Sequence, residues 1–196
     1  MTEVKLLQKE VSRLTKLVAS QEEVIKKLQK EAELAITDSL TGLPNRRAFD
    51  KAFDRITSEL RRKGGRRTRG SVKSVGLLFV DVNRFKPIND TFGHEAGDKV
   101  LVVIAGALKK CFPRESDLVA RLGGDEFVVI LPRVSEEDLL RLTKKLKSVV
   151  KKADYDIGDD FEVTVSVGAT LATNQTEAKN LLDRADKAMY KDKSEG

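Results

Sequence analysis

Residues 120–131, ARLGGDEFVVIL, set Gly123, Gly124, Asp125 and Glu126 between two apolar runs. A tight hairpin needs one or two flexible residues. It does not need adjacent acids, which repel each other unless something positive lies against them. A third acid, Asp81, stands with Val82 at the end of another apolar run, SVGLLFVDV (74–82). A carboxylate at the end of a buried strand is costly unless it is paired or metal-bound. With the hairpin beside that strand, Asp81, Asp125 and Glu126 converge. Three carboxylates without a neighbouring Cys or His cluster suit a hard cation, Mg²⁺ before Zn²⁺. Glycines beside them let phosphates approach the backbone closely. Either segment alone reads as a turn with surface acids; together they suggest a Mg²⁺–nucleotide site.

A mixed set of elements must hold these groups. In TDSLTGLPNRRAF, Gly42 and Pro44 interrupt the chain and Asn45 can cap the next helix. Phe49, Phe53, Ile56 and Leu60 share one face of that helix, and Gly64 and Gly65 end it. The run 74–82 reads as a central strand. Apolar spacing predicts a helix over 94–111, then a hairpin pairing 117–122 with 126–131. Ser135 and Asp138 cap a further helix to 153, residues 161–172 alternate as a strand, and 177–193 close as a helix. Helices and strands mix without strict βαβ repetition, which predicts an α/β (α+β) fold with helices packed on a layered sheet.

The length, 196 residues, fits one domain with an appendage. The formal charge is +6, but residues 61–73 carry seven Lys or Arg and no acid, leaving −1 for everything else. The basic character belongs to one segment, so nucleic-acid binding by the whole fold is not expected. Cys111 is the only cysteine, which suits a reducing compartment. The N-terminus MTEVKLLQKE lacks the apolar core of a signal peptide, and no stretch approaches the roughly 18 apolar residues of a membrane span. The expectation is a cytoplasmic protein without a membrane segment.

Residues 1–36 differ in texture. With Val4 at heptad position a, that position reads Val4, Val11, Val18, Ile25, Ala32, and d reads Leu7, Leu14, Gln21, Leu28, Ala35. β-Branched residues at a with Leu at d favour a parallel two-stranded coiled coil, hence a homodimer. The rest, 37–196, forms the second domain.

The order of motifs resembles the GGDEF family of diguanylate cyclases. RLGGDEF carries the likeness, with DSLTGLPNR (38–46), DVNRFKPINDTFGHEAGD (81–98), VTVSVGAT (163–170) and ADKAMYKDK (185–193). The resemblance implies a fold related to the palm of nucleotide cyclases and polymerases, with a central, mostly antiparallel sheet flanked by helices. It also implies that two GTP are condensed into cyclic di-GMP with release of two pyrophosphates. By the same resemblance Asp81, Asp125, the Val82 carbonyl and Glu126 hold Mg²⁺ (or Mn²⁺), and Asp125 and Glu126 are the catalytic acids. Which acid takes the proton of the attacking 3′-hydroxyl stays open. Asn89, His94 and Asp98 match substrate positions, Gly123 and Gly124 lie against substrate, and Lys86 and Lys193 match positions that neutralise phosphate. Asp98 can accept from the N1–H and N2–H₂ edge of guanine, a donor pattern adenine lacks. Asn83 stands where many members have Asp, which weakens a metal role there.

Arg114 and Asp117, in RESD, match the family's RxxD inhibitory site for cyclic di-GMP. Arg suits that task, since its planar fork grips phosphate or a guanine edge. The alternative to an active enzyme is a catalytically silent module that senses GTP or cyclic di-GMP; the intact acids argue for turnover.

Overall fold

A computed structural model describes residues 2–60, 72–158 and 161–195, and the chain divides into two compact units, Met1–Ile36 and Thr37–Gly196. In the second unit the run ending on Asp81 forms strand β1 (Val75–Val82), buried at all eight residues. It lies between β3 (Glu126–Pro132) and β4 (Val165–Ala172) and is antiparallel to both. Strand β2 (Leu118–Gly123) pairs antiparallel with β3, which gives the order β2-β3-β1-β4. A strand with neighbours on both sides and helices on both faces has no solvated side. That is why 75–80 show no polar alternation.

Side chains alternate between two cores. On one face Leu78, Val80 and Val82 of β1 join Phe127, Val129 and Leu131 of β3 in a core shared with α4 (His94–Cys111) and α5 (Glu136–Lys151). On the other, Val75, Leu77 and Phe79 join Val128 and Ile130, with α2 (Arg46–Ser58) and α7 (Leu181–Glu195). The two-residue period places Asp81 and Glu126 on this second face. There α7 comes very near the sheet. Gly168 of β4 pairs with Phe79 of β1, and a Cβ at Gly168 would overlap the Ala185 carbonyl and the Met189 amide nitrogen. Only glycine permits that approach.

Local signals account for the helix starts. Asn45 accepts from the Ala48 N–H at 3.1 Å and Ser135 from the Asp138 N–H at 3.0 Å. The structure departs from the sequence reading in four places. Helix α2 stops at Ser58, and Leu60 instead bridges Val72; Gly64, Gly65 and most of the basic segment, 61–71, lie outside the described residues. The strand expected over 161–172 begins only at Val165, because its ladder with β1 ends at Val82↔Val165. The closing helix is two helices, α6 (Gln175–Ala178) and α7; at the break Arg184 Nη2 bonds the Leu171 carbonyl at 2.8 Å. Finally, 85–92 form a helix, α3 (Phe85–Phe92), with Pro87 in its first turn, where a missing N–H costs nothing.

The first unit is helix α1 (Thr2–Leu34). Leu7, Val11, Leu14, Leu17, Val18, Val24 and Ile25 are each more than half exposed on it. Among the described residues no helix is long and apolar enough to cross a membrane.

Candidate active site

Asp81 is the last residue of β1 on the second face and is 7% exposed. In register it faces Glu126 of β3 on one side and Ser166 of β4 on the other. The β2–β3 turn brings Asp125 to the same end, where the Val82 N–H reaches the Asp125 carbonyl at 3.3 Å. Asp81, Asp125 and Glu126 thus share one end of the sheet. Gly123 and Gly124 make this turn with φ of +149° and +51°, conformations that cost a side chain dearly. A Cβ at either would meet nothing within 4 Å, so the demand for glycine is conformational and the turn stays open on its outer side.

Burial raises the Asp125 carboxyl above the usual carboxylate range, and the charge of Asp81 raises it further; Lys193 and Arg121 pull the other way. Glu126 is also pushed up, by burial first and then by Asp125, Asp81 and Asp186, against the opposing charge of Arg46. Arg46 Nη2 stands 4.0 Å from Glu126 Oε2. The acids therefore have cationic neighbours, yet burial first, and the neighbouring acids with it, leaves both carboxyls raised.

Lys193 reaches the cluster from α7. Its Nζ donates to Asp81 Oδ1 at 2.5 Å, and that bond raises the lysine pKa. The contact follows from the fold. Lys193 lies one helical turn beyond Met189, which sits over Gly168, and Asp81 lies two residues beyond Phe79, the partner of Gly168. One turn of helix advances about 5–6 Å and two strand residues about 6–7 Å, so the side chains meet.

Arg121, unassigned in the sequence reading, is the cation closest to the turn. Its Nε and Nη2 donate to the Gly124 carbonyl at 3.0 and 2.7 Å, and Nη1 donates to Asp38 Oδ1 and Oδ2 at 3.0 and 3.1 Å. Burial alone would raise the Asp38 carboxyl, but bonds from Thr41 and Arg121 outweigh it and hold it below the ordinary value. The only local signal was an Arg two residues before the glycines, beside two acids.

The remaining candidates occupy separate places. Asn89 of α3 packs against Gly97 of α4, where a Cβ would overlap Asn89 Oδ1. Asp98 lines a cavity of about 410 Å³ floored by Leu40, Val102, Val103 and Tyr155. His94 is the exposed first residue of α4. Lys86 is exposed and bonds Asp90 at 3.1 Å, on the outer side of α3. Asn83 is tied to β4, donating to Thr164 Oγ1 at 3.0 Å and accepting from Ser166 Oγ at 2.7 Å. Arg114 and Asp117 form a turn before β2, with the Asp117 N–H on the Arg114 carbonyl at 2.9 Å. Burial raises the Asp117 carboxyl against the charge of Arg114. The six strand residues from there to Gly123 span about 20 Å, so this pair lies apart from the acids at the end of β1.

Among the described residues, no three His, Cys, Asp or Glu side chains stand grouped as a ready metal centre. The chemistry of the donors at the end of β1 nevertheless suits a hard cation, since its acids offer oxygen alone.

The family model described as "Diguanylate cyclase, GGDEF domain" matches residues 35–196. Diguanylate cyclase DgcP of Pseudomonas aeruginosa is 38% identical over 170 residues, covering 86% of this chain and 24% of that protein. Response regulator PleD of Caulobacter vibrioides is 37% identical over 173 residues, covering 86% of this chain and 36% of that protein. The chain thus spans well under half the length of these curated relatives. Among solved structures, the coiled coil and GGDEF domain of DgcB from Caulobacter crescentus in complex with c-di-GMP aligns at a TM-score of 0.81, with 29% identity and 94% of each chain covered.

Proposed function

This chain belongs to the GGDEF family of diguanylate cyclases, and from that premise we propose that it condenses two GTP into cyclic di-GMP. In each half-reaction the 3′-hydroxyl of one GTP attacks the α-phosphorus of the other. A P–O bond forms to that oxygen, the bond to pyrophosphate breaks, and the hydroxyl proton passes to a base. The observation that carries the reading is the gathering of Asp81, Asp125 and Glu126 beside an open glycine turn.

Asp81, Asp125, Glu126 and the Val82 carbonyl would hold Mg²⁺ (or Mn²⁺). When bound, such a cation neutralises charge on the α-phosphate and on departing pyrophosphate. Which of Asp125 and Glu126 takes the hydroxyl proton stays open. Gly123 and Gly124 admit the triphosphate to backbone N–H groups. Lys193 and Lys86 supply positive charge to it, Lys86 by leaving Asp90. Asn89 and Asp98 select guanine from the α3–α4 side, with His94 at the mouth.

One domain holds one GTP, so two domains must face each other. Pairing of the exposed apolar stripe of α1 in a homodimer raises the effective concentration of that encounter. Arg114 and Asp117 would bind the product and hold the domains apart in an unproductive arrangement.

The test is incubation of the purified chain, first stripped of bound cyclic di-GMP, with GTP and Mg²⁺, products separated by chromatography beside Asp125→Ala. Cyclic di-GMP from the wild type alone supports the enzyme. Nucleotide binding without product moves the reading to a silent sensor of GTP or cyclic di-GMP.

A further inference from the structure

Lys193 stands on the one acid that is buried among the described residues, and the chain holds it there. Asp81 has a side chain 10% exposed, against 41% for Lys193, and their bond joins residues 112 apart in sequence. A buried carboxylate without a partner is costly, so this ammonium stabilises the acid end of β1. Yet Lys193 is the only cation bonded to these carboxylates among the described residues: Arg46 stands 4.0 Å from Glu126, and Arg121, though it acts on Asp125, is paired with Asp38.

The neighbouring residue shows that the helix itself is not free to move. Both carboxylate oxygens of Asp192 accept from Lys147 Nζ at 2.6 Å, and Oδ2 also accepts the Val167 N–H at 2.8 Å. Val167 lies on β4, the edge strand, and this N–H points away from β1. Asp192 therefore pins the last turns of α7 to the sheet edge and to α5. With the backbone pinned here and closely packed at Gly168, any exchange at Asp81 is confined to the Lys193 side chain.

We propose that Lys193 is a built-in placeholder for the divalent cation: its ammonium occupies Asp81 Oδ1 until a cation takes that oxygen, and the freed side chain then turns to the substrate phosphates. Asp192 is the positioning residue that keeps Lys193 within reach of both. The inference rests on the reading of Asp81 as a cation ligand and goes beyond it. Lys193 becomes a competitor of the cation in the nucleotide-free protein and a partner of it once nucleotide binds. It also ties the order of loading to the chemistry, because the phosphate contact becomes available only as the cation arrives.

The experiment is Mn²⁺ binding to nucleotide-free protein, read by electron paramagnetic resonance of the free ion. The proteins compared are the wild type, Lys193→Met, Arg46→Met and Asp81→Asn, each checked for folding by circular dichroism. The expected result is that K193M binds Mn²⁺ about tenfold more tightly than wild type, or binds it where the wild type does not. R46M should change affinity far less, and D81N should bind weakest. Equal affinity or equal failure to bind in wild type and K193M overturns the exchange. So does an R46M gain as large as that of K193M, which would mean only a general effect of removing positive charge. Unaltered Mn²⁺ affinity in D81N overturns the prior reading of Asp81 as a ligand, and the exchange with it. Competitive acetylation of the wild type supplies a second readout: Lys193 reactivity should rise severalfold on adding Mg²⁺ alone. A fall or no change under conditions where Mn²⁺ binds counts against release of the side chain.

Discussion

Replacing Arg121 with Met should destabilise the second unit and, on the proposed function, slow turnover for the same reason. The guanidinium bridges the Gly124 carbonyl and the Asp38 carboxylate through four contacts of 2.7–3.1 Å, and its side chain is 12% exposed. A hydrogen bond to a charged group contributes about 1.5–3 kcal/mol net. The four contacts share two acceptors and do not add. Asp38, 22% exposed, also keeps its bonds from Thr41, so it is not orphaned by the change. The loss should therefore be about 2–4 kcal/mol, nearer one strong interaction than four. At about 2–4 °C per kcal/mol for a domain of this size, Tm should fall by about 5–15 °C. D38N should cost less, and the double-mutant cycle should show a coupling of about 1–2 kcal/mol. Asp38 has a depressed folded-state pKa, so its contribution is complete above the unfolded value and is lost as pH falls through the folded one. The gap in stability between wild type and D38N should accordingly close below about pH 4. Because Arg121 holds the turn that carries Asp125, kcat should drop at least about tenfold in R121M at a temperature where it is fully folded. Loss of stability with wild-type kcat would refute the claim that the clamp positions the turn.

Four further outcomes follow from other residues. Gly124→Ala puts a Cβ where φ is +51° but nothing lies within 4 Å, so denaturation should show a cost of about 1–2 kcal/mol, and Gly124→Asn a smaller one. Gly97→Ala should displace the Asn89 carboxamide and raise KM for GTP more than it lowers kcat, measured by initial rates; an unchanged KM would argue against a guanine contact by Asn89. Asp125 and Glu126 have raised folded-state pKa values, so the burial of their charges, with their mutual repulsion, costs stability above those values and is relieved as pH falls through them. Mg²⁺ should therefore raise Tm more at about pH 8 than at about pH 5, read by thermal unfolding with and without the ion. Val11→Asp with Leu14→Asp, both on the exposed stripe of α1, should abolish activity at low protein concentration while leaving GTP binding intact; full activity in a monomer by sedimentation would refute the dimer.

What could be read from sequence, and what could not, divides by how far each cause acts along the chain. Strand β1 and helix α4 were readable because burial imposes long apolar patterns, eight buried residues in one and eight in the other. Helix α3 was not, since eight residues with one buried side chain carry too little periodicity, and Pro87 argues against a helix until one knows it lies in the first turn. The acids were readable as types out of place, an Asp closing an apolar strand and two acids at a glycine turn. Their partners were not. Arg121 meets Asp38 across 83 residues and Lys193 meets Asp81 across 112, and nothing local in either segment announces the other. Yet these distant contacts have local preconditions. Helix α7 reaches Asp81 because Gly168 lets it lie on β4 and Asp192 fastens its end to that strand's outer edge. A glycine inside a strand and an acid inside a closing helix look unremarkable in sequence, and each is where one element is allowed to touch another. The chemistry at this site is thus chosen by charged side chains, while the distances at which it operates are set by a missing side chain and a backbone bond.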